Sequence, residues 1–262
     1  MPQYHRSSQP ISPSSQRNRE KNVRVHNIAH RGASAYEPEN TLRAFERAIA
    51  MGATMLELDV HLSRDGHLIV IHDADVSRTT NGAGRVTEMT LDHIKQFYAG
   101  ESERVPTLPE VIELARDRVQ LYIELKDPRG LGPLVQVLRN LCVVEQVIAA
   151  SFDPGLLQQV KQLSPKMRTS VLIGPRSKDE MIRQAMSLDI DYIHPAWENL
   201  SPTPHTLLAS DLLSDIRHHG LGIITWHEER PGELRALLEL GVDGICTNTP
   251  DVLAGIIRES SS

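Results

Sequence analysis

Three acidic residues at the ends of two apolar segments could bind a cation. Glu57 and Asp59 alternate in one segment, and Glu124 alternates with Lys126 in another. Side chains two residues apart on a strand project to the same side, so each pair shares a face. Three buried carboxylates repel one another unless a cation lies between them. All-oxygen donors without a nearby cysteine favour one divalent cation, Mg²⁺ or Ca²⁺, over zinc. The alternative is that the acids only form ion pairs with Lys126 and Arg31.

Two histidines with charged neighbours could exchange protons near this cluster. His30 precedes Arg31, and His72 precedes Asp73. The unperturbed pKa of imidazole lies near neutrality, which makes both residues candidates for general acid and base. A single histidine at a strand end is more often structural, but two beside a carboxylate cluster favour catalysis. Arg31 and Lys126 could neutralise the oxygens of a phosphoryl group.

These residues fall at the ends of regularly spaced apolar segments. Eight such segments alternate with helical patterns, which is typical of βα units around a parallel sheet. A chain of 262 residues suits a TIM-type (β/α)8 barrel, whose catalytic groups come from the carboxyl ends of strands. We therefore predict an α/β fold of this class. The predicted strands are 25–29, 55–60, 121–125, 147–151, 168–173, 191–194, 222–226 and 244–247, and the predicted helices are 41–51, 108–115, 134–141, 155–163, 178–187, 206–218, 231–240 and 250–257.

A further strand-like segment follows the second predicted strand too closely for a parallel crossover, which needs about a dozen residues. It must therefore turn back as a hairpin. The pair Asp65-Gly66 is a strong signal for a two-residue turn. A turn centred there pairs Leu62 with Ile69 and returns His72 to the end of the second strand.

One domain, residues 25–262, is predicted to follow a polar arm. Residues 1–24 contain hardly an apolar side chain, which predicts a disordered arm without the hydrophobic region of a secretory signal. Residues 74–105 form a short Gly- and Thr-rich excursion over the barrel mouth. Cys142 and Cys246 cannot build a disulfide framework, and their apolar surroundings predict buried thiols in a reducing, cytoplasmic compartment.

The charge balance restricts the partners of this chain. It has 28 basic and 34 acidic residues, a formal net charge of -6, which argues against binding nucleic acid. A few local cations must then hold any anionic substrate. No apolar stretch approaches the roughly 18 to 20 residues that span a bilayer, so stable membrane insertion is not expected. The sequence leaves the oligomeric state open.

Nine sequence elements resemble the glycerophosphodiester phosphodiesterase family in order and approximate spacing. The resemblance extends from about residue 26 to 252 and is closest to the smaller, cytoplasmic-type members, which are phosphodiesterase barrels of the phospholipase C-like kind. Nine ordered elements over this length are highly specific. The elements are His30-Arg31-Gly32, Pro38-Glu39-Asn40-Thr41, Glu57-x-Asp59-Val60, Asp65-Gly66 leading to His72-Asp73, Pro106-Thr107-Leu108, Glu124-Leu125-Lys126, Ser151-Phe152-Asp153, Trp226 and Gly241-Val242-Asp243-Gly244.

The resemblance implies a metal-dependent barrel enzyme that cleaves glycerophosphodiesters, such as deacylated phospholipids, to sn-glycerol 3-phosphate and an alcohol. By matching motif, the three acids described above resemble the metal ligands, and His30 and His72 the acid–base pair. Arg31 and Lys126 resemble phosphate contacts. Trp226 resembles a pocket wall against the glycerol carbons, although core packing explains this residue equally well.

The resemblance leads to a hypothesis for the reaction. One divalent cation and two cationic side chains bind the phosphoryl group, His30 removes a proton from the nucleophile, and His72 protonates the leaving alcohol. The nucleophile is either water or the neighbouring glycerol hydroxyl of the substrate, whose proximity would give a large effective molarity.

Two segments depart from the family pattern. Where the family usually has Trp-Thr followed by an apolar-polar pair, this chain has His227, Glu228 and Glu229 after the tryptophan. Where the family usually has Thr-Asp near the last strand, this chain has Asn248 after the threonine. Neither change removes a candidate ligand or histidine. Both affect the pocket rim and hence the identity of the alcohol group.

Several alternatives remain open. The closest is a lysophospholipase D acting on lipids that keep one acyl chain. A barrel lyase or isomerase acting on sugar phosphates could use the same acids and lysine, but it gives no reason for two flanking histidines. A non-catalytic binding barrel predicts a missing ligand or base, whereas all are present. Two histidines are weaker candidates: His61 could reach the acidic cluster, and His194 could line the mouth or be structural.

Overall fold

The structure is a computed structural model that describes most of the chain. The predicted N-terminal arm, residues 1–24, lies outside the described residues, as does Ser187 at the end of one predicted helix. The described residues are 25–174, 178–186, 188–195, 201–208 and 211–260.

Within the described residues, eight parallel strands form a barrel, and each lies within two residues of its predicted bounds. Their β-branched and apolar side chains favour the extended conformation. Three further short strands lie outside the barrel. In chain order the strands are β1 (His26–Ala29), β2 (Met55–Leu62), β3 (Leu68–Val70), β4 (Tyr98–Ala99), β5 (Glu103–Arg104), β6 (Gln120–Leu125), β7 (Val147–Ser151), β8 (Arg168–Ile173), β9 (Tyr192–Pro195), β10 (Gly222–Thr225) and β11 (Gly244–Thr247).

The barrel closes where the first and last strands meet. Its strands follow one another in the order β1, β2, β6, β7, β8, β9, β10 and β11, and β11 pairs with β1. At the closure Ala29 of β1 lies opposite Thr247 on one side and Leu56 on the other. The predicted TIM-type barrel is therefore confirmed. All of its strands point their carboxyl ends to the same mouth.

Helices between successive strands cover the outside of the barrel. Local sequence sets their ends: the Thr41 side chain accepts a hydrogen bond from the backbone N–H of Ala44, Asp153 does the same for Gly155, and Gly241 ends its helix with a φ of 69°. The helices are α1 (Leu42–Ala50), α2 (Leu91–Ile94), α3 (Leu108–Ala115), α4 (Leu131–Asn140), α5 (Pro154–Leu163), α6 (Lys178–Met186), α7 (His205–Leu208), α8 (Asp211–His218), α9 (Pro231–Leu240) and α10 (Pro250–Ser260).

Side-chain alternation on β2 separates the apolar core from the acidic residues. Leu56 and Leu58 point outward and pack in the core between the barrel and its helices. Met55 lies in a second apolar cluster inside the barrel. Glu57 and Asp59 share the inward side with Met55, because side chains two residues apart project the same way. The alternation predicted from the sequence is confirmed.

The hairpin after β2 is shifted by one residue from the predicted register. Leu62 pairs with Leu68, one residue before its predicted partner. The backbone N–H of Gly66 donates to the carbonyl of Ser63 at 3.1 Å, and Gly66 has a φ of 86°. This is the geometry of a type I turn followed by a glycine bulge, which lengthens the loop by one residue. The predicted two-residue turn is wrong, but the returning strand still leads to His72.

The predicted excursion, residues 74–105, packs against the returning strand. Val76 and Ile94 of the excursion form an apolar cluster with Ile69 and Ile71. The excursion includes α2 and the antiparallel pair β4–β5. Its small core anchors the segment next to His72.

The two cysteines lie in different surroundings. Cys246 is buried in the barrel interior, as predicted, but Cys142 is exposed. The prediction of a buried thiol is wrong for Cys142, because this residue lies in the turn after α4 with a φ of 58°. Among the described residues, no helix combines the length and the apolar character that crossing a bilayer requires.

Candidate active site

The acidic cluster predicted from the sequence forms at the carboxyl ends of β2 and β6. These strands are neighbours, and their register places Asp59 opposite Glu124, with Glu57 two residues earlier. Each of the three residues offers a carboxylate oxygen that lies within 4.8 Å of those of the other two. All three side chains are buried. Strand pairing alone therefore brings together the oxygens that could surround one cation.

Two cationic side chains contact this cluster. The Lys126 Nζ lies 2.6 Å from a Glu124 oxygen and 3.2 Å from an Asp59 oxygen. The Arg31 Nε lies 3.5 Å from the other Asp59 oxygen, to which Asn40 Nδ2 donates a hydrogen bond at 2.9 Å. Three ionised carboxylates with two cations would leave one net negative charge among these side chains. Because an unpaired buried charge is costly, either a proton on one acid or an additional cation must balance it.

Electrostatics within the cluster favour an additional positive charge. Burial, and then repulsion by Asp59, raise the pKa of Glu57 well above its usual range. The same two causes raise the pKa of Glu124 to about 7. Burial opposes ionisation of Asp59 as well, but Lys126 and Arg31 hold its pKa below the usual value. Burial therefore disfavours the charged forms of Glu57 and Glu124, and an added positive charge between the three carboxylates would offset this cost; their oxygen donors fit a hard divalent cation, Mg²⁺ or Ca²⁺.

A left-handed turn after β1 carries Arg31 to the cluster. Arg31 has a φ of 54° and Gly32 a φ of 85°. In this conformation the backbone N–H of Arg31 donates to a Glu57 oxygen at 2.8 Å. A Cβ on Gly32 would lie 2.7 Å from the carbonyl carbon of Ala44. Both the backbone angles and the close approach therefore require glycine.

His30 lies in the mouth at the end of β1. Its ring is buried, its Nδ1 lies 2.8 Å from Asn248 Oδ1, and it stacks on His227 with 5.0 Å between ring centroids. Burial, and then the positive charge of Arg31, lower the pKa of His30 to about 4. The ring is therefore neutral at neutral pH, as a general base must be.

His72 follows the hairpin and is held by charged neighbours. Its Nδ1 lies 2.5 Å from Asp73 Oδ1, and the other Asp73 oxygen accepts a hydrogen bond from Arg78 Nε at 2.5 Å. The bonds from Arg78 and His72 lower the pKa of Asp73, which stays ionised. His61, one of the weaker candidates, places its Nε2 2.9 Å from the backbone oxygen of His72. It therefore supports the His72 backbone.

Glu39 connects the loop after β1 with the excursion. One of its oxygens lies 3.0 Å from Arg31 Nη1 and 2.7 Å from Arg78 Nη2. Since Arg78 also binds Asp73, a chain of ion pairs runs from one histidine-bearing segment to the other. This chain holds the two sides of the mouth in a fixed relation.

Trp226 lies just beyond β10 and is half-buried. Its ring centroid is 5.3 Å from that of His194, 5.9 Å from that of Phe152 and 6.4 Å from that of His30. Phe152 is 47% exposed, so it forms with Trp226 an apolar surface on the rim beside His30. His194 itself is buried, with its Nδ1 2.6 Å from the Tyr122 hydroxyl.

Several partners of the predicted residues were missed in the sequence. Glu39 and Asn40 lie in one of the quoted elements, but nothing in their spacing assigns them a contact. Glu229 and Asn248 lie in the two segments that depart from the family pattern. Asn248 meets His30 from 218 positions away in the chain, a contact that strand order around the barrel creates and that local sequence does not show.

Comparison with known proteins identifies the family. A model of the glycerophosphoryl diester phosphodiesterase family matches residues 30–252. A glycerophosphodiester phosphodiesterase of Caldanaerobacter subterraneus is 36% identical over 245 residues, 88% of this chain and 97% of the relative. One of Bacillus subtilis is 32% identical over 268 residues, 93% of this chain and 90% of the relative. The solved structure of an Oleispira antarctica phosphodiesterase in complex with its product sn-glycerol-3-phosphate has a TM-score of 0.76 and 26% identity, covering 88% of this chain and 96% of that one. Because the family model matches residues 30–252, most of the sequence, this chain belongs to the glycerophosphoryl diester phosphodiesterase family.

Proposed function

We propose that this chain hydrolyses glycerophosphodiesters, such as glycerophosphocholine, to sn-glycerol 3-phosphate and an alcohol, and that the reaction requires one divalent cation. The observation that carries the proposal is the buried cluster of three carboxylates and two cationic side chains at the barrel mouth. The names of the relatives support the substrate class.

Acidic and basic side chains of the cluster would bind a phosphodiester in different ways. Glu57, Asp59 and Glu124 would hold the cation, which when bound polarises the phosphoryl group and shares its negative charge. Arg31 and Lys126 reach the same acids and would contact the remaining phosphoryl oxygens. These two local cations would allow a chain of net charge -6 to hold an anion.

The two histidines are proposed to move the protons. His30 is neutral and accepts a proton from the nucleophile. His72 donates a proton to the leaving alcohol. Because Asp73 binds the Nδ1 of His72, the Nε2 of His72 is the atom that carries this proton. The nucleophile is water or the neighbouring glycerol hydroxyl of the substrate. Trp226 and Phe152 form the apolar wall that the glycerol carbons or the alcohol group would contact.

A single assay tests the proposal. The protein is incubated with glycerophosphocholine and Mg²⁺ or Ca²⁺, with and without EDTA, and glycerol 3-phosphate is measured. We expect release that depends on the cation and is abolished in the Glu57→Gln variant. Absence of release with either cation, or equal release in EDTA, would contradict the proposal.

The exposed Phe152 beside Trp226 favours a second candidate, a lysophospholipase D that accepts one acyl chain. The same assay with lysophosphatidylcholine, scored by choline release, separates the two activities. Faster turnover of the lysolipid than of glycerophosphocholine would assign the second activity.

A substrate analogue identifies the nucleophile. In the analogue the glycerol hydroxyl next to the phosphate is replaced by hydrogen. Turnover of this analogue requires attack by water. Loss of turnover, together with a transient cyclic phosphate from the normal substrate, would identify the hydroxyl.

A further inference from the structure

We propose that Glu229 and Asn248 are positioning residues, which fix the proton of His30 on Nδ1 and leave Nε2 free to act as the base. The inference deepens the proposed function and rests on the acid–base role of His30. Both positioning residues lie in the two segments that depart from the family pattern, and the neighbouring strands β10 and β11 bring these segments into contact.

Glu229 is the starting point of the network. Its Oε1 accepts from the Asn248 side-chain Nδ2 at 2.7 Å and from the Asn248 backbone N–H at 3.1 Å. The His227 Nδ1 lies 3.0 Å from the same oxygen. Burial opposes ionisation of Glu229, but the bond from His227 holds its pKa below the usual value. Glu229 is therefore a carboxylate, which can only accept hydrogen bonds.

The carboxylate decides which way the Asn248 amide faces. The NH₂ group must point to Glu229, so the carbonyl oxygen Oδ1 points the other way. That oxygen lies 2.8 Å from His30 Nδ1 and 2.7 Å from the Ser34 hydroxyl. A carbonyl oxygen has no hydrogen to donate, so the His30 Nδ1 must carry the proton of this bond.

The position of this proton determines what His30 can do. A neutral imidazole has one proton, so a proton on Nδ1 leaves a free electron pair on Nε2. The partner at Nδ1 is a neutral amide, which orients the ring without adding the negative charge that would favour a second proton. The titratable or charged groups that act on His30 are Arg31, Asp59, His194, His227 and Glu229.

Nitrogen NMR of the full-length protein tests the proton position without measuring activity. Long-range ¹H–¹⁵N correlation spectra of protein labelled on histidine distinguish the two neutral tautomers, and the His30→Gln variant identifies the signals of His30. We expect the Nδ1–H tautomer in the wild type. In Glu229→Ala the amide can turn its NH₂ group to His30, and we expect the Nε2–H tautomer. A wild-type His30 protonated on Nε2 would overturn the inference.

Kinetics test whether the network matters for turnover. We expect Glu229→Ala to lower kcat about 10- to 100-fold, as loss of a group that orients a catalytic residue does, with little change in KM. Glu259→Gln, a surface substitution on α10 that removes the same charge, is the control and should leave kcat unchanged. An unchanged kcat in Glu229→Ala would overturn the inference.

A double variant separates positioning from simple loss of structure. Asn248→Asp with Glu229→Gln exchanges the carboxylate and the amide, so the His30 Nδ1 still meets an acceptor and the bond between the two positions is kept. We expect kcat to recover, and the acid limb of the kcat/KM profile to move to higher pH by about one unit because a negative charge now faces His30. Recovery without that shift, or no recovery in a folded double variant, would contradict the inference.

The proposed function and this inference can fail separately. A wild type with the Nδ1–H tautomer but without activity on any glycerophosphodiester would refute the function and support the proton assignment. An active wild type with the Nε2–H tautomer would support the function and refute the inference.

Discussion

His30 and His72 differ in the groups that hold them, and this difference suits two separate tasks. A neutral amide meets the Nδ1 of His30, whereas the carboxylate of Asp73 meets the Nδ1 of His72. Asp73 is held in turn by Arg78. The amide adds no charge beside His30, the proposed base, whereas the carboxylate places a negative charge beside His72, the proposed acid.

The role of His72 can be tested with two leaving groups. His72→Ala should lower kcat/KM for glycerophosphocholine about 100- to 10,000-fold, the usual loss of a general acid. The p-nitrophenyl ester of glycerol phosphate, whose leaving group needs no proton, should lose far less. Equal losses on both substrates would refute the assignment. His93→Ala, an exposed histidine on α2, is the matched control.

The lowered pKa of His30 should make the protein less stable in acid. In the folded chain the pKa is about 4, against 6.5 for an ordinary histidine. The unfolded chain therefore binds a proton first as the pH falls. The stability contributed by neutral His30 is complete above pH 6.5 and is lost towards pH 4, by about 3 kcal/mol.

Urea unfolding in EDTA at pH 7 and pH 4 measures this loss. Between pH 7 and pH 4, we expect the free energy of unfolding to fall by about 3 kcal/mol more in the wild type than in His30→Gln. Parallel pH dependences in the two proteins would show that the His30 pKa is not lowered in the folded state.

Two glycines with nearly the same backbone conformation allow the backbone strain of an added side chain to be separated from its steric overlap with neighbouring atoms. Gly32 has a φ of 85° and Gly66 a φ of 86°. A Cβ at Gly66 would meet no atom within 4 Å, whereas at Gly32 it would overlap the Ala44 backbone. We expect Gly66→Ala to cost about 1 kcal/mol of stability, from strain alone.

Gly32→Ala should cost at least about 3 kcal/mol, because overpacking adds to the same strain. It should also reduce activity, since the turn carries Arg31 to the acidic cluster. Urea unfolding and the glycerophosphocholine assay measure the two effects. Similar stability losses in the two variants would show that the turn after β1 can relax.

Periodicity made the barrel and its acidic cluster predictable. Apolar alternation in β2 and β6 reports which side chains point inward, and the βα order makes these strands neighbours, so Glu57, Asp59 and Glu124 could be grouped. The predicted hairpin register is wrong because the glycine bulge at Gly66 adds a residue to the loop, and the pair Asp65-Gly66 is the same with or without the bulge. The contacts of Glu229 could not be predicted because they depend on the conformation of the loops after β10 and β11.

Cation binding should stabilise the whole domain. A ligand that binds only the folded chain, at a free concentration one hundred times its Kd, adds about 2.7 kcal/mol to the free energy of unfolding. We expect Mg²⁺ or Ca²⁺ to raise the Tm of the wild type, measured by calorimetry. Glu57→Gln should lose most of this increase, whereas the exposed Glu113→Gln should keep it. An equal increase in Glu57→Gln would place the cation elsewhere.

The closure of β1 against β11 has a consequence for biosynthesis. A ribosome makes His30 long before Asn248, which lies 218 positions later in the chain. A nascent chain that already carries every proposed ligand and both histidines still lacks β11 and the Asn248 amide, which is proposed to orient His30. We therefore expect a chain truncated before β11 to lack the proposed activity.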